Sequence, residues 1–208
     1  MTEIADKANT IGSRRLDRLV NTVPAKRDAM SSNLSATPVL ITVRSLSAGA
    51  ASGRLTCGGL DVACALGRGG ITRDKREGDG AAPAGRFALL TVYYRADRVA
   101  RPRTRLPVTE LHPWMGWCDA PDHPRYNHLV TRPFTASHEA MWRDDHLYDI
   151  VVVLDCNLRP AVRGRGSAIF FHLARPGYPP TEGCVAVKEQ DMRHILERCG
   201  PGAAICID

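Results

Sequence analysis

Short runs of apolar residues recur along the chain, and stretches rich in glycine, proline and charge separate them. Six of these runs have the length and the β-branched or aromatic composition of β-strands: residues 39–43, 87–94, 147–154, 167–172, 185–187 and 203–207. The run at 147–154 has few polar positions, a pattern that is typical of a strand buried on both faces.

A hairpin and a helix complete the predicted elements. Residues 52–66 predict a β-hairpin that turns at a Gly-Gly pair. Residues 188–198 have helical periodicity, with Met192, Ile195 and Leu196 on one face, and a Gly-Pro-Gly segment ends the helix. The predicted fold is therefore mainly β: a β-sandwich-like domain with a C-terminal helix.

The chain divides into a tail and one domain. Residues 1–36 are polar and charged, which predicts a flexible N-terminal tail, and residues 37–208 form the domain. Within that domain, the aromatic segment that begins in the proline-broken stretch 111–126 and runs through His138 to about Trp142 predicts an irregular insertion. A short helical turn is predicted at 137–142.

The net charge and the hydropathy of the chain limit the classes of molecule that it is expected to bind. The 208 residues carry a net charge of +6 and the pI is about 9.1, so the chain favours acidic partners such as nucleic acid, anionic membrane or an anionic wall polymer. Because the arginines are spread out without interleaved aromatic residues, we expect no nucleic-acid partner. No apolar run is long enough for a transmembrane segment.

The cysteines do not predict a metal site. All seven lack a Cys-x-x-Cys pairing, and their odd number leaves at least one free thiol in a monomer. Cys118, His123 and His128 are evenly spaced, but prolines break any helix there, so we expect packing or a substrate wall and no metal. Cys156 and Cys206, which lie inside apolar runs, are expected to be buried.

The candidate chemistry lies at the end of the run 167–172. His172 is carried by a predicted strand, and a Pro/Gly-rich loop leads from it to Gly183 and Cys184 at the start of the next strand. A thiol nucleophile needs a base within hydrogen-bond reach, and a preceding glycine lets backbone N–H groups approach a reacting carbonyl oxygen. We expect His172 to lower the pKa of the thiol, with Glu182 or a backbone carbonyl orienting the imidazole.

Two segments resemble the L,D-transpeptidase catalytic domain of the YkuD-like family. That family has a strand-borne histidine followed by Ser/Thr-His-Gly-Cys; here His172 is followed by Thr-Glu-Gly-Cys at 181–184. A second family pattern, Lys…Gly-Asp-Gly…Thr-Pro-x-Gly-x-Phe, matches residues 75–87, with Ala82 where threonine is usual. The resemblance spans about residues 38–208 in the right order.

The resemblance implies roles for residues on both segments. Cys184 would be the nucleophile, His172 the general base and acid, and Gly183 a part of the oxyanion site. The expected substrate contacts come from the loops and the insertion: Thr181, Glu182, Tyr178, Arg86, Trp114, Trp117, Tyr126, Asn127 and His138. Core packing is the alternative for the aromatic residues of the insertion. A monomer without metal or cofactor is implied.

Three departures from the family pattern affect the expected donor specificity and the type of cross-link. Glu182 replaces a histidine, Ala186 replaces arginine or asparagine, and the loop after His172 is short. The implied reaction attaches a peptidoglycan stem peptide to the thiol as a thioester and transfers it to a diaminopimelate amine. The departures favour 1,3 over 3,3 cross-links. An L,D-carboxypeptidase or amidase-like hydrolase and an inactive wall-binding module are the alternatives.

The N-terminal residues and the implied substrate give different indications of the cellular location of the protein. The implied substrate lies outside the inner membrane, so we expect the periplasm or cell envelope. Residues 1–30 are charged and lack an apolar core, which is unlike a secretory signal peptide, and Met30 is a possible alternative start. The cytoplasm is the alternative location.

Overall fold

The computed structural model describes residues 38–208, so the predicted tail at 1–36 and the start at Met30 lie outside the described residues. The described part consists of fourteen β-strands and one α-helix. The strands of the first half are β1 (Leu40–Ser45), β2 (Ser52–Cys57), β3 (Leu60–Ala65), β4 (Ile71–Thr72), β5 (Ala82–Pro83), β6 (Gly85–Tyr94) and β7 (Val108–Glu110). The second half comprises β8 (Met115–Cys118), β9 (Leu129–Thr131), β10 (His138–Ala140), β11 (Ile150–Leu154), β12 (Phe170–Leu173), β13 (Val185–Val187), α1 (Glu189–Arg198) and β14 (Ala204–Ile207).

The main sheet closes on itself through β6. Its nine strands run in the order β11-β12-β13-β3-β2-β1-β14-β6-β7, and β11 also pairs with β6. The ten-residue β6 is long enough to pair with β14 over its first half and with β11 over its second half. Eight strands therefore form a continuous ring around the core, with β7 extending the sheet beside the end of β6.

Side-chain alternation along β11 and β12 divides the apolar residues between two cores. The inner core, enclosed by the ring, takes every second side chain of these two strands: Ile150, Val152, Leu154, Phe171 and Leu173. The intervening side chains, Val151, Val153 and Phe170, belong to a second, outer core. The prediction that the 147–154 run is buried on both faces is confirmed, because β11 is buried at all five positions.

A separate three-stranded sheet, β10-β8-β9, covers the outer face of the ring. Its Trp117 packs edge-on against Phe170 of β12, with ring centroids 5.2 Å apart and planes at 89°. The predicted helical turn at 137–142 is wrong, because residues 138–140 form β10 and pair antiparallel with β8. Strand pairing outweighs local helical preference in so short a segment.

Asn127 joins this small sheet to the ring. The residue is buried and has a φ of 58°, which asparagine tolerates better than most residues. Its Oδ1 accepts hydrogen bonds from Trp117 Nε1 at 2.9 Å and from the Ala168 N–H at 3.0 Å. Its Nδ2 donates to the carbonyls of Cys156 at 3.1 Å and Asn157 at 2.6 Å. One amide thus connects both sheets just before β12 begins.

The mainly β prediction, with one helix near the C-terminus, is confirmed. The hairpin is β2–β3, and Gly58 and Gly59 turn with φ of 52° and 84°, which favours glycine. The helix is α1, and it buries Met192, Ile195 and Leu196 against the inner core as predicted.

All seven cysteines are free thiols. Cys156 is buried as expected, but Cys206 is only partly buried, because alternation along β14 turns it away from the inner core. No helix within residues 38–208 combines the length and the hydropathy needed to cross a membrane.

Replacing Asn127 with alanine should destabilise the fold. The Asn127→Ala variant leaves the Trp117 indole N–H and the Ala168 N–H without their acceptor, so we expect a loss of about 2–4 kcal/mol in the free energy of unfolding. Urea titration of both proteins measures this difference. As a control, Arg54→Ala removes a half-exposed ion pair and should cost less than about 1 kcal/mol. Equal midpoints for the two variants would contradict the account of Asn127.

Candidate active site

His172 lies on the outer face of β12. Its neighbours Phe171 and Leu173 point into the inner core, so alternation turns the imidazole toward the covering sheet, where it is 4% exposed. Its Nδ1 is 2.8 Å from the carbonyl oxygen of Leu173. This bond fixes the proton on Nδ1 and leaves Nε2 as the basic nitrogen. Of the two orienting groups expected from the sequence, the structure therefore has the backbone carbonyl.

The pairing of β12 with β13 brings Cys184 to the same face. The two strands are parallel, and their register sets Phe171 opposite Val185 and His172 opposite Ala186. Cys184, one residue before β13, therefore lies beside Phe170, one diagonal step from His172. The Phe170 N–H donates to Cys184 Sγ at 3.3 Å, and the thiol donates to the Ala168 carbonyl at 3.4 Å. Both side chains line one cavity of about 310 Å³.

Burial keeps both groups neutral. It lowers the pKa of His172 to about 4, against the opposing effect of the Leu173 carbonyl. It also raises the pKa of Cys184 to about 12, and the Phe170 N–H offsets only part of that shift. The expectation that His172 lowers the thiol pKa is wrong, because the loss of solvent outweighs the polar contacts. At neutral pH the site therefore holds a thiol and an imidazole, not a thiolate–imidazolium pair.

Gly183 allows the loop before Cys184 to pass close to another backbone. Its φ is +128°, and a Cβ at this position would lie 2.9 Å from the Ala81 carbonyl oxygen. The Gly183 N–H donates to Thr181 Oγ1 at 3.2 Å, and that hydroxyl donates to the Cys184 carbonyl at 2.7 Å. Thr181 thus holds the loop that carries the thiol.

The two sequence segments that carry the family resemblance meet at this loop. Asp79 accepts the Ala81 N–H at 2.9 Å and bonds the ammonium of Lys75, which fixes the backbone that Gly183 touches. Lys75 is itself buried and lines the cavity near Cys184. The second segment therefore supports the loop that carries the Cys184 thiol and adds the Lys75 cation to the cavity lining.

Among the loop residues expected to bind substrate, two line the cavity. Thr181 and Glu182 do so, and the exposed Glu182 carboxylate pairs with Arg68 at 3.1 Å at the rim. Tyr178 does not line the cavity; its ring lies 5.7 Å from the Lys188 ammonium. Arg86 lies on β6 opposite Cys206 and is likewise outside the cavity lining.

The insertion residues expected to bind substrate do not line the cavity either. Trp117, Tyr126 and Asn127 are buried in the packing behind it, as the core-packing alternative anticipated. Trp114 stacks on His112 at 5.2 Å, and His138 packs against Phe134. These residues lie outside the cavity lining, and Trp117 belongs to the outer core, because the inner face of the small sheet packs on β12. Their contact with substrate stays a prediction.

Other residues complete the lining of the cavity that contains Cys184. The insertion contributes Asp119, Glu139 and Arg143, and Tyr148 follows just before β11. The Tyr148 ring packs edge-on against His172 at 5.4 Å, and the Arg143 guanidinium lies 5.2 Å from that ring. Sequence reasoning missed these residues; the charged positions around 139–145 were the available signal.

Two carboxylates fix the Arg143 side chain in the cavity lining. It bonds Glu139 at 2.5 Å and Asp145 at 2.6 Å, and Asp145 also bonds Arg175 at 2.8 Å. These bonds hold the pKa of the Asp145 carboxyl well below its usual range. Among residues 38–208, no group of three or more His, Cys, Asp or Glu side chains is arranged to hold a metal ion.

Comparison with known proteins agrees with this arrangement. A family model, the YkuD L,D-transpeptidase catalytic domain, matches residues 50–207, which include the β12 histidine, the Thr-Glu-Gly-Cys loop and the segment around Asp79. No match to a curated protein or to a solved structure reaches significance. The family match covers most of the chain and nearly the whole described fold. The chain therefore belongs to the YkuD family of L,D-transpeptidase catalytic domains.

Proposed function

We propose that the protein is a peptidoglycan L,D-transpeptidase in which Cys184 is the nucleophile and His172 is the general base and acid. The family acts on peptidoglycan stem peptides through a cysteine, which supports the substrate class. The observation that carries the assignment is the common face of β12 and β13. It sets thiol and imidazole in one cavity, with the imidazole oriented by the Leu173 carbonyl.

In the first half-reaction, the neutral pair reacts by a coupled proton transfer. His172 Nε2 takes the thiol proton as Sγ attacks the carbonyl carbon of the donor stem. Because the Gly183 N–H is bonded to Thr181, the oxyanion donor that we propose is the N–H of Cys184. When the tetrahedral intermediate collapses, the C–N bond breaks, the leaving amine takes the proton from His172, and a thioester remains on Cys184.

In the second half-reaction, the diaminopimelate amine of another stem attacks the thioester carbonyl. A C–N bond forms, the C–S bond breaks, and His172 takes the proton of the attacking amine and passes it to the departing sulfur. This restores the neutral thiol and imidazole. Water in place of the amine would make the same thioester the intermediate of a hydrolase.

We propose 1,3 cross-links as the product. Ala186 lines the cavity directly opposite His172 in the strand register, where the family usually has arginine or asparagine. Glu182, in place of a histidine, turns to Arg68 at the rim. These two departures change the lining of the cavity that contains Cys184, which supports a donor different from that of the commoner enzymes. The cell envelope is the proposed location, because the family acts on the cell wall.

Incubation with purified muropeptides tests the assignment. The wild-type protein should produce dimers detectable by mass spectrometry, and Cys184→Ala should produce none. His172→Ala should slow thioester formation about 10²–10⁴-fold, the usual effect of losing a general base. The controls His194→Ala, on the exposed side of α1, and Cys206→Ala should retain activity. Shortened monomers without dimers would favour the hydrolase, and unchanged muropeptides would reject both enzymes.

The pH dependence tests whether the resting pair is neutral. Because the pKa of His172 is lowered to about 4, the imidazole is a competent base above that pH. The rate of thioester formation should therefore rise through pH 4 and show no further inflection at the usual histidine pKa of about 6.5. Single-turnover rates from pH 3.5 to 8 measure this profile. An inflection between pH 6 and 7 that disappears in His172→Ala would contradict the neutral pair.

A further inference from the structure

The cavity contains one carboxylate without a partner. Seven charged side chains line it, and six are paired: Lys75 with Asp79, Glu77 with Ser167, Glu139 with Arg143, Arg175 with Asp145, and Glu182 with Arg68. The seventh is Asp119. Its Oδ1 is shielded from solvent and meets no hydrogen-bond donor within residues 38–208.

The fold brings Asp119 into the lining of the cavity that contains Cys184. The residue follows β8, and its N–H donates to the Ser137 carbonyl at 3.2 Å, which continues the pairing with β10. Alternation sets Asp119 on the same face as Trp117, and Trp117 lies opposite Glu139 in the register. That face covers β12, and Asp119 lines the same cavity as Cys184.

A buried acceptor without a donor is costly, and such groups are uncommon in native proteins. The cations of the cavity lining already have partners: Arg143 pairs with Glu139 and Asp145, Lys75 with Asp79, and Arg175 with Asp145. A ligand that brings N–H donors and positive charge would pair with the cavity-lining carboxylate of Asp119, which no salt bridge within residues 38–208 neutralises. A primary ammonium group has this chemistry, with three donors on a compact charge.

We propose that Asp119 binds the primary amine of the acceptor and orients it toward the thioester on Cys184. The proposal rests on the proposed transpeptidase function and assigns its acceptor specificity. The acceptor enters as R–NH₃⁺, and one proton passes to the Asp119 carboxylate. The neutral amine then attacks the thioester, His172 relays its next proton to the departing sulfur, and the proton on Asp119 leaves to solvent. Asp119 thereby favours an amine over water as the acceptor.

Asp119→Asn separates the two half-reactions. The wild-type protein and the variant are loaded with a donor stem peptide, thioester formation is followed by intact-protein mass, and a diaminopimelate-containing acceptor is then added. We expect thioester formation to change less than about two-fold, whereas transfer to the amine falls at least about ten-fold, mainly through a higher KM for the acceptor. Hydrolysis of the thioester should be unchanged, and Asp119→Glu should recover part of the transfer.

A matched control and a binding measurement complete the test. Asp122→Asn removes the same charge three residues away, where the side chain is exposed and paired with Arg163, and it should leave transfer unchanged. In the Cys184→Ala background, calorimetry should show acceptor binding weakened at least about ten-fold by Asp119→Asn and abolished by acetylation of the acceptor amine.

Three results would overturn the proposal. The first is transfer by Asp119→Asn at the wild-type rate, and the second is an equal loss of thioester formation and transfer, which would indicate a structural role. Unaltered acceptor affinity in the Cys184→Ala background would also reject it. Failure of the transpeptidase function itself is distinguishable, because the wild-type protein would then form no thioester with any donor, whatever its affinity for the amine.

Discussion

The parallel pairing of β12 with β13 is the constraint on which the site depends. Its register sets His172 opposite Ala186, and alternation then turns His172 and Cys184 to one face while Phe171 and Val185 anchor the other in the inner core. A slip of one residue would bury the imidazole in the ring and point its apolar neighbour at the cavity. Closure of the ring through β6 and β11 keeps β12 between two paired neighbours, so that this register has little freedom to change.

Burial determines the protonation state of the proposed catalytic pair. The small sheet over β12 creates the outer core and removes solvent from the nucleophile, which keeps thiol and imidazole uncharged. A neutral thiol is a weak nucleophile, so the proton must move as the C–S bond forms. The same burial strengthens the polar contacts made inside the cavity, including that of the Phe170 N–H with Cys184 Sγ. The fold therefore holds a protonated thiol, and no preformed thiolate, in a site of low dielectric.

The sequence predicted the parts of the fold that depend on local pattern. The hairpin, α1 and the doubly buried β11 follow from apolar spacing, and the candidate pair followed from a strand histidine and a Gly-Cys step. The insertion was less predictable, because its strands are only three or four residues long and depend on pairing with one another. Trp117 and Tyr126 are buried outside the cavity lining, and Asp119 and Tyr148, which line the cavity, carry no local signature. The pKa of Cys184 was also beyond sequence reasoning, since it depends on how completely the small sheet covers the thiol.

The position of the acyl group tests the central claim most directly. The wild-type protein is incubated with a donor stem peptide without acceptor, quenched in acid and digested, and the adduct is located by tandem mass spectrometry among the seven cysteines. The account predicts a thioester on Cys184 alone, absent from Cys184→Ala. An adduct on another cysteine, such as the partly exposed Cys206, or an adduct that persists in Cys184→Ala, would contradict it.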